Sequence, residues 1–181
     1  REEVDEALLV LQRHSRRLNA LVEDLLTLAR LEARKAEMEL VPADAARLIA
    51  DVVRDFSVSA RERGVALSFG CSPEPCTVPL DVLRFEQVCG NLLDNALKYT
   101  PPGGAVTVQA GLHNGGTFEM VVRDTGPGIP QKDLPRIFER FYRVDKGRGR
   151  DEGGTGLGLS IVKHIVALHG GEVSAESTLG K

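Results

Sequence analysis

Two carboxamides and one ammonium group are spaced so that they lie on one side of a predicted helix. Asn91, Asn95 and Lys98 recur at intervals of four and three residues, which places them on one face of a helix with 3.6 residues per turn. Amide oxygens can bind a hard cation such as Mg²⁺, and an ammonium group can pair with phosphate. Taken alone, however, the segment is better explained as an ordinary amphipathic helix that ends at Tyr99–Gly104, where prolines and glycines stop it.

Two further segments, both containing glycine, favour a binding site over an ordinary amphipathic helix. Gly153–Ser160 is a glycine-rich turn that runs into the apolar helix Ile161–Leu168, and the unpaired backbone amides at a helix start attract phosphate. The spacing Gly154-x-Gly156-x-Gly158 is weak evidence alone, because glycine turns also serve as plain connectors. Asp124-Thr-Gly-Pro-Gly-Ile129 lies between this turn and the asparagine helix. The order of the three segments predicts a site for a magnesium nucleotide.

With these segments the chain resembles the catalytic, ATP-binding domain of sensor histidine kinases, in the superfamily of gyrases, heat-shock chaperones and mismatch-repair ATPases. Asn91–Thr100 resembles the asparagine box of this family, and Asp124–Ile129 resembles its first glycine box. Arg136–Arg143 resembles the phenylalanine box, and Gly154–Leu159 resembles the second glycine box. All four occur in the family order.

The resemblance implies the cofactors ATP and Mg²⁺ and a role for each site residue. Asn95 would hold Mg²⁺, and the Asp124 carboxylate would accept a hydrogen bond from the adenine amino group. Gly126 and Gly128 would allow close approach to the base, and Gly156 and Gly158 would do so beside the phosphates, because glycine has no Cβ. The nucleotide-binding residues predicted in this way are Asn91, Asn95, Lys98, Tyr99, Asp124, Gly126, Gly128, Ile129, Phe141, Thr155, Gly156, Leu157, Gly158 and Leu159.

The segment from Pro130 to Thr155 would form a flap over the nucleotide. Arg143 and Arg140 could reach the γ-phosphate when the flap closes, since positive charge stabilises the transition state of phosphoryl transfer. For Arg140, a solvated surface position is an equally good interpretation. Phe138 and Phe141 are interpreted as anchors of the flap on the core rather than as groups that stack on the base. The predicted catalytic residues are Asn91, Lys98, Arg143 and Arg140.

The residue one helical turn before Asn95 favours a kinase over an ATPase. Hydrolytic members of the superfamily carry a glutamate there that activates water, whereas this chain has Asn91, and an amide cannot act as a general base. A gyrase- or chaperone-type ATPase remains one alternative. A nucleotide-binding or dimerisation module without catalysis is another, which the intact boxes disfavour.

No histidine of the chain matches the phosphate acceptor of the family. That acceptor is followed at once by an acidic residue and, a few positions on, by a proline; His14, His113, His164 and His169 lack this context. We therefore expect the chain to be a fragment that cannot autophosphorylate, with the acceptor histidine on a helix that is absent from it.

The first 35 residues are predicted to form a long amphipathic helix. Its apolar stripe repeats at alternating spacings of three and four, which is typical of a coiled-coil or bundle seam and requires partner helices. It resembles the second helix of the kinase dimerisation hairpin, so the parent protein is expected to be a homodimer, with a response regulator as a further partner. The stripe consists of Leu8, Leu11, Ser15, Leu18, Val22, Leu25 and Ala29, widened by Leu21, Leu28 and Leu31.

Residues 36–181 are predicted to form the catalytic domain, after a connector near residues 32–39. Asp44 is expected to cap a helix that ends by Gly64, and Asp81 starts the asparagine-box helix. Strands are expected at Val65–Phe69, around Val106–Ala110, around Phe118–Val122 and at Gly171–Glu176, with a hairpin turn at His113–Gly116. The fold class is therefore α+β, a two-layer α/β sandwich preceded by the long helix. The family resemblance implies that the sandwich is of the Bergerat ATP-binding type.

Composition limits the partners of this segment. The net charge is −3, basic residues are scattered, and there are two tyrosines and no tryptophan, so nucleic-acid binding is not expected. There is no apolar run of about 18 residues, so no membrane contact by this segment is expected. Three cysteines without close partners indicate free thiols in a reducing compartment, so we expect a cytoplasmic location for this segment. The family resemblance implies a parent protein anchored in a membrane.

Overall fold

The computed structural model describes residues 2–32, 38–72, 75–113, 116–144 and 154–180. Four α-helices and five β-strands lie in these ranges. In chain order the elements are α1 Glu2–Glu32, β1 Val41–Asp44, α2 Ala45–Glu62, β2 Ala66–Ser72, β3 Thr77–Leu80, α3 Val82–Tyr99, β4 Ala105–His113, β5 Thr117–Asp124 and α4 Gly158–Leu168. A single 3₁₀ turn spans Leu134–Arg136.

The main sheet has three strands in the order β2-β4-β5. β2 and β4 are parallel, and Phe69 is paired with Val108. β4 and β5 are antiparallel, and Val108 is paired with Val122. The predicted hairpin between them is confirmed, because the Gly116 amide donates a hydrogen bond to the His113 carbonyl at 3.0 Å.

One face of this sheet is covered by α2 and α3, which confirms the two-layer sandwich. The first core cluster contains Ile49 of α2, Phe85 and Leu93 of α3, and Val106 and Val108 of β4. Asp44 caps α2 as predicted, because its Oδ1 accepts a hydrogen bond from the Ala46 amide at 3.1 Å. Burial of these side chains away from water is the main force that holds the layers together.

A second core cluster joins α4 to α3 and to the end of α1. It contains Leu28 and Leu31 of α1, Val88 of α3, and Ile161 and Ile165 of α4. Farther towards the N-terminus of α1, Leu8, Leu11, Leu18, Val22 and Leu25 are exposed. The predicted helix is therefore confirmed, and among its described side chains those packed in the core belong to its C-terminal part. The predicted connector lies largely outside the described residues.

Two features of the strands differ from the sequence-based expectations. β1 and β3 form a separate antiparallel pair that the sequence did not reveal, because each is four residues long and contains a proline, with Pro42 opposite Pro79. The strand expected at Gly171–Glu176 is absent; no strand is formed in that described segment. Val173 instead packs against the second core cluster, and farther on the Gly180 amide donates to the Pro127 carbonyl at 3.0 Å.

Candidate functional site

Helix α3 carries Asn91, Asn95 and Lys98 on one side, as predicted. The Asp81 carboxylate caps its N-terminus by accepting from the Arg84 amide at 3.1 Å, and Pro101 and Pro102 follow its C-cap at Thr100. Leu93 and Leu97 are buried in the core. Asn91, Asn95 and Lys98 are half-buried. The sequence therefore predicted this face correctly, because a helix fixes side-chain direction by spacing alone.

The second glycine turn lies against this face. The Asn91 amide nitrogen donates to the Gly158 carbonyl at 3.4 Å. Lys98 lies beside Gly154: a Cβ built on that glycine would be 2.5 Å from the lysine Nζ. Gly156 has φ +75°, which favours glycine. The structure thus brings together two segments that are more than 50 residues apart in the chain.

Leu157 and Leu159, which were included among the predicted nucleotide-binding residues, differ in burial. Leu157 is fully buried and belongs to the second core cluster, so its side chain supports the turn from the core side. Leu159 is half-buried. A contact between Leu157 and a nucleotide would have to be made by its backbone.

Phe141 meets the same turn through its backbone. Its amide donates to the Gly156 carbonyl at 2.9 Å, and a Cβ on Gly156 would lie 3.0 Å from the Phe141 Cα. Phe141 has φ +60° and is 58% exposed. The expectation that its ring anchors the flap on the core is therefore wrong. Ile137, which the sequence analysis overlooked, is the buried apolar residue of the segment, and Phe138 is half-buried.

A polar cluster that the sequence analysis missed holds the phenylalanine-box segment. The Tyr142 hydroxyl donates to Oδ1 of the buried Asp133 at 2.6 Å, and this hydrogen bond raises the tyrosine pKa. The Arg136 guanidinium lies 4.2 Å from the centre of the Tyr142 ring. It also pairs with Glu139 at 3.0 Å, which raises the arginine pKa. No spacing rule in the sequence joins Asp133 to Tyr142.

Arg143 and Arg140 differ in their positions. Arg143 is half-buried, and its Nη1 donates to the Gly154 carbonyl at 3.4 Å, so it reaches the glycine turn. Arg140 is exposed on the same segment. The arrangement therefore supports a role at the phosphates more directly for Arg143 than for Arg140.

The first glycine box forms a turn at the end of β5. The exposed Asp124 carboxylate is oriented by the Gly126 amide, which donates to its Oδ1 at 2.9 Å. A Cβ on Gly126 would lie 2.9 Å from the Tyr99 carbonyl oxygen. Glycine is thus required at position 126 for the turn to pack against the end of α3.

Gly128 and Ile129 contact the C-terminal segment. Gly128 has φ +77°, and a Cβ there would be 2.4 Å from the Thr178 carbonyl oxygen. The Ile129 amide donates to the Ser177 hydroxyl at 2.8 Å. The close approach that Gly128 permits in this structure is therefore to residues 178–179, and its predicted contact with the base stays a prediction.

An open cleft of about 770 Å³ connects the end of α3 to the first glycine box. Lys98, Tyr99, Thr125 and Gly126 line it. The Lys98 Nζ is 5.2 Å from the centre of the Tyr99 ring, and Tyr99 is 47% exposed. Its lining also includes Glu62 and Arg63 at the end of α2, and it does not extend to Asn91, Asn95 or the turn 154–158.

The donor set at α3 suits Mg²⁺ only together with a phosphate ligand. Among the described residues, no group of three histidine, cysteine, aspartate or glutamate side chains could hold a metal ion. Asn95 offers an amide oxygen on the polar face of α3, and Mg²⁺ in nucleotide sites takes few protein ligands and several oxygens from phosphates and water. The residues therefore fit magnesium that is bound with a nucleotide.

Thr155 connects the glycine turn to helix α1. Its hydroxyl donates to Asp24 Oδ2 at 2.7 Å. Asp24 was not among the predicted site residues, and the heptad pattern around it gave no signal for this contact.

In the ranges that the structure describes, no helix combines the length and apolar character needed to cross a bilayer.

Comparison with known proteins gives the family. The model of the "Histidine kinase-, DNA gyrase B-, and HSP90-like ATPase" family matches residues 80–181. Sensor histidine kinase WalK of Bacillus subtilis (strain 168) is 37% identical over 175 residues, which are 96% of this chain and 28% of WalK. Hybrid signal transduction histidine kinase D of Dictyostelium discoideum is 40% identical over 169 residues, 91% of this chain and 11% of that protein.

Solved structures agree with this result. Full-length ShkA in complex with AMPPNP is similar with a TM-score of 0.83 at 34% identity, over 99% of this chain and 37% of ShkA. The mycobacterial sensor histidine kinase MprB has a TM-score of 0.63 at 35% identity, over 72% of this chain and 82% of that chain. The chain belongs to the histidine kinase-, DNA gyrase B- and HSP90-like ATPase family. Within that family, the chain is similar to the ATP-binding domain of sensor histidine kinases, and it spans less than a third of the length of the curated relatives WalK and histidine kinase D.

Proposed function

We propose that this chain binds ATP with Mg²⁺ and positions the γ-phosphoryl group for transfer to a histidine on an acceptor helix outside this chain. The observation that carries the proposal is the contact of the α3 polar face with the second glycine turn, where Asn91 reaches Gly158 and Arg143 reaches Gly154. The Asn91 amide, Lys98 and Arg143 thus meet at the glycine turn that leads into α4. Such a set of groups suits a polyphosphate.

Each residue has a definite task in this proposal. Asp124 accepts from the adenine amino group, and its orientation by the Gly126 amide suits that task. Asn95 contributes an amide oxygen to Mg²⁺, which when bound neutralises charge on the phosphates. Lys98 and Arg143 add positive charge beside the glycine turn, as phosphoryl transfer requires. Arg140 is assigned to the same task with the flap closed.

Asn91 disfavours direct hydrolysis. It occupies the position one turn before Asn95, donates to the Gly158 carbonyl, and has no basic group that could take a proton from water. The γ-phosphoryl group would therefore be kept from water and passed to the imidazole of the acceptor histidine. A response regulator is the proposed next acceptor, and the cytoplasm, where ATP is available, is the proposed location.

The exposed apolar side chains of α1 support a homodimer in the parent protein. Leu8, Leu11, Leu18, Val22 and Leu25 form an apolar stripe on a helix whose C-terminal part is already packed against α4. The dimerisation hairpin of a second copy of the parent protein would bury this stripe.

Calorimetric titration with a non-hydrolysable ATP analogue, with and without Mg²⁺, tests the nucleotide site. We expect magnesium-dependent binding, with negligible phosphate release from ATP in a parallel assay. Asn95→Ala should remove the magnesium dependence, and Asp94→Ala, on the exposed side of α3, is the matched control. Steady ATP turnover would contradict the kinase assignment, and absence of binding would contradict the nucleotide site itself.

A further inference from the structure

Helix α1 makes a polar contact with the second glycine turn. Asp24 Oδ2 accepts a hydrogen bond from the Thr155 hydroxyl at 2.7 Å, across 131 positions of the chain. Both side chains are half-buried. Leu28 and Leu31, on the next turns of α1, are buried against α4. The hydrogen bond thus lies beside an apolar interface, where partial exclusion of water strengthens it.

The contact continues from Thr155 into the backbone. The Thr155 hydroxyl oxygen accepts from the Leu157 amide at 3.2 Å. A hydroxyl that donates to one group and accepts from another has a fixed rotation. Leu157 is the N-cap residue of α4 and makes no capping hydrogen bond with its own side chain. The chain of contacts from Asp24 through Thr155 to Leu157 therefore orders the entry to α4.

The ordered turn is the one that the proposed function assigns to phosphate. Gly156, between Thr155 and Leu157, accepts from the Phe141 amide at 2.9 Å. Gly158 accepts from Asn91 at 3.4 Å. A displacement of this turn would change both contacts and the direction of the backbone amides at the start of α4. Binding sites lose affinity when their groups must be ordered on binding.

We propose that Asp24 is a positioning residue of the nucleotide site and that, through Thr155, it holds the second glycine turn in the shape that receives phosphate. The inference rests on the proposed function, since it assumes that this turn binds the nucleotide. It makes part of α1 a component of the site. By linkage, nucleotide binding then favours packing of α1 against α4 by the same factor.

If Asp24 acted only through its charge, its removal would change the nucleotide affinity in the opposite direction. A carboxylate next to the phosphate turn would repel a polyphosphate, so its removal would strengthen binding. Asp24→Asn separates the two effects, because asparagine keeps an acceptor oxygen but has no charge. Asp24→Ala removes both. Glu23→Ala removes an adjacent carboxylate that is exposed, and serves as the matched control.

Titration of the full 181-residue chain with the non-hydrolysable ATP analogue and Mg²⁺ compares these variants. We expect Asp24→Ala to bind about two- to tenfold more weakly than the parent, which is the usual effect of one hydrogen bond. Asp24→Asn and Glu23→Ala should stay within about twofold. Equal affinity of Asp24→Ala and the parent would overturn the inference, as would tighter binding by both Asp24 variants.

Hydrogen exchange in the absence of nucleotide separates this inference from the proposed function. The Leu157 amide should exchange faster in Asp24→Ala than in the parent and in Glu23→Ala. Thr155→Val should have the same effect, and the double variant should exchange no faster than either single variant. Unchanged exchange in Asp24→Ala overturns the positioning role even if the parent binds the analogue. A parent that does not bind the analogue overturns the proposed function, and the positioning role with it.

Discussion

The candidate site has one wall supported by the core and other walls made of loops. The core-supported wall consists of α3, the turn 154–158 and α4, with Leu93, Leu97, Leu157 and Ile161 buried behind it. The loop walls are residues 124–129 and 133–144. They are held largely by hydrogen bonds, such as those from Gly126 to Asp124 and from Tyr142 to Asp133, and Ile137 is the buried apolar side chain of residues 133–144.

The two kinds of wall differ in how easily they can move. A wall backed by close-packed apolar side chains moves only if the core moves. A loop held by a few hydrogen bonds can open locally at a small fraction of the global free energy of unfolding. The first kind of wall suits groups that must stay fixed, and the second suits groups that close on a ligand.

The largest effect is expected from Ile161→Ala, which tests the core-supported wall. Ile161 is fully buried in the second core cluster, so the change removes packing and leaves a cavity. We expect the free energy of unfolding to fall by about 2 to 5 kcal/mol, measured by urea denaturation. Leu83→Ala, at a side chain that is 76% exposed, is the control and should change it by less than about 0.5 kcal/mol. Equal losses in the two variants would contradict the comparison.

A smaller effect, confined to binding, is expected from Asp124→Ala in the first loop wall. Loss of the carboxylate should weaken binding of the ATP analogue by roughly 1.5 to 3 kcal/mol, the usual range for a hydrogen bond to a charged group. The preference for ATP over GTP analogues should fall as well, because GTP lacks the adenine amino group. The free energy of unfolding should change far less than in Ile161→Ala. Unchanged base preference would argue against the assigned adenine contact.

Tyr142→Phe tests the second loop wall, residues 133–144, and its effect should be confined to that loop. The variant loses the hydroxyl that donates to Asp133 at 2.6 Å. We expect faster hydrogen exchange at the Phe141 amide, which is bonded to Gly156, without a shift of the global unfolding midpoint. A shift as large as that of Ile161→Ala would show that this wall, too, depends on the core.

The last prediction concerns Cys89, whose thiol is expected to make the free energy of unfolding depend on pH in alkaline solution and not at neutral pH. Burial raises the pKa of this thiol on α3 from 9.0 to about 12. The folded protein therefore keeps the proton at pH values where the unfolded chain releases it. The free energy of unfolding should fall as pH rises from about 9 towards 12, by at most about 1.4 kcal/mol per pH unit from this group.

Comparison of variants isolates the Cys89 contribution. Cys89→Ala should lose stability less steeply than the parent in this pH range, measured by denaturant titration at several pH values. Leu83→Ala, which removes no titratable group and lies at an exposed position of α3, should follow the slope of the parent. Parallel curves for Cys89→Ala and the parent would contradict the predicted proton linkage.

Residue spacing along the chain was enough to predict the polar face of α3, the glycine turns and the two-layer fold. These properties depend on local spacing: four and three residues place Asn91, Asn95 and Lys98 on one side of a helix, and alternation places Val106 and Val108 on one side of a strand. The boxes in their order then gave the family, and the comparisons agree with it.

Contacts between residues far apart in the chain could not be predicted in this way and are known from the packing of the elements. Asp24 and Thr155, or Tyr142 and Asp133, are joined by hydrogen bonds that no periodicity encodes. The pairing of Pro42 with Pro79, and the irregular path of Gly171–Glu176, likewise depend on neighbours from elsewhere in the chain. Local patterns fix the direction of a side chain along its own element, whereas its partner depends on how the elements pack.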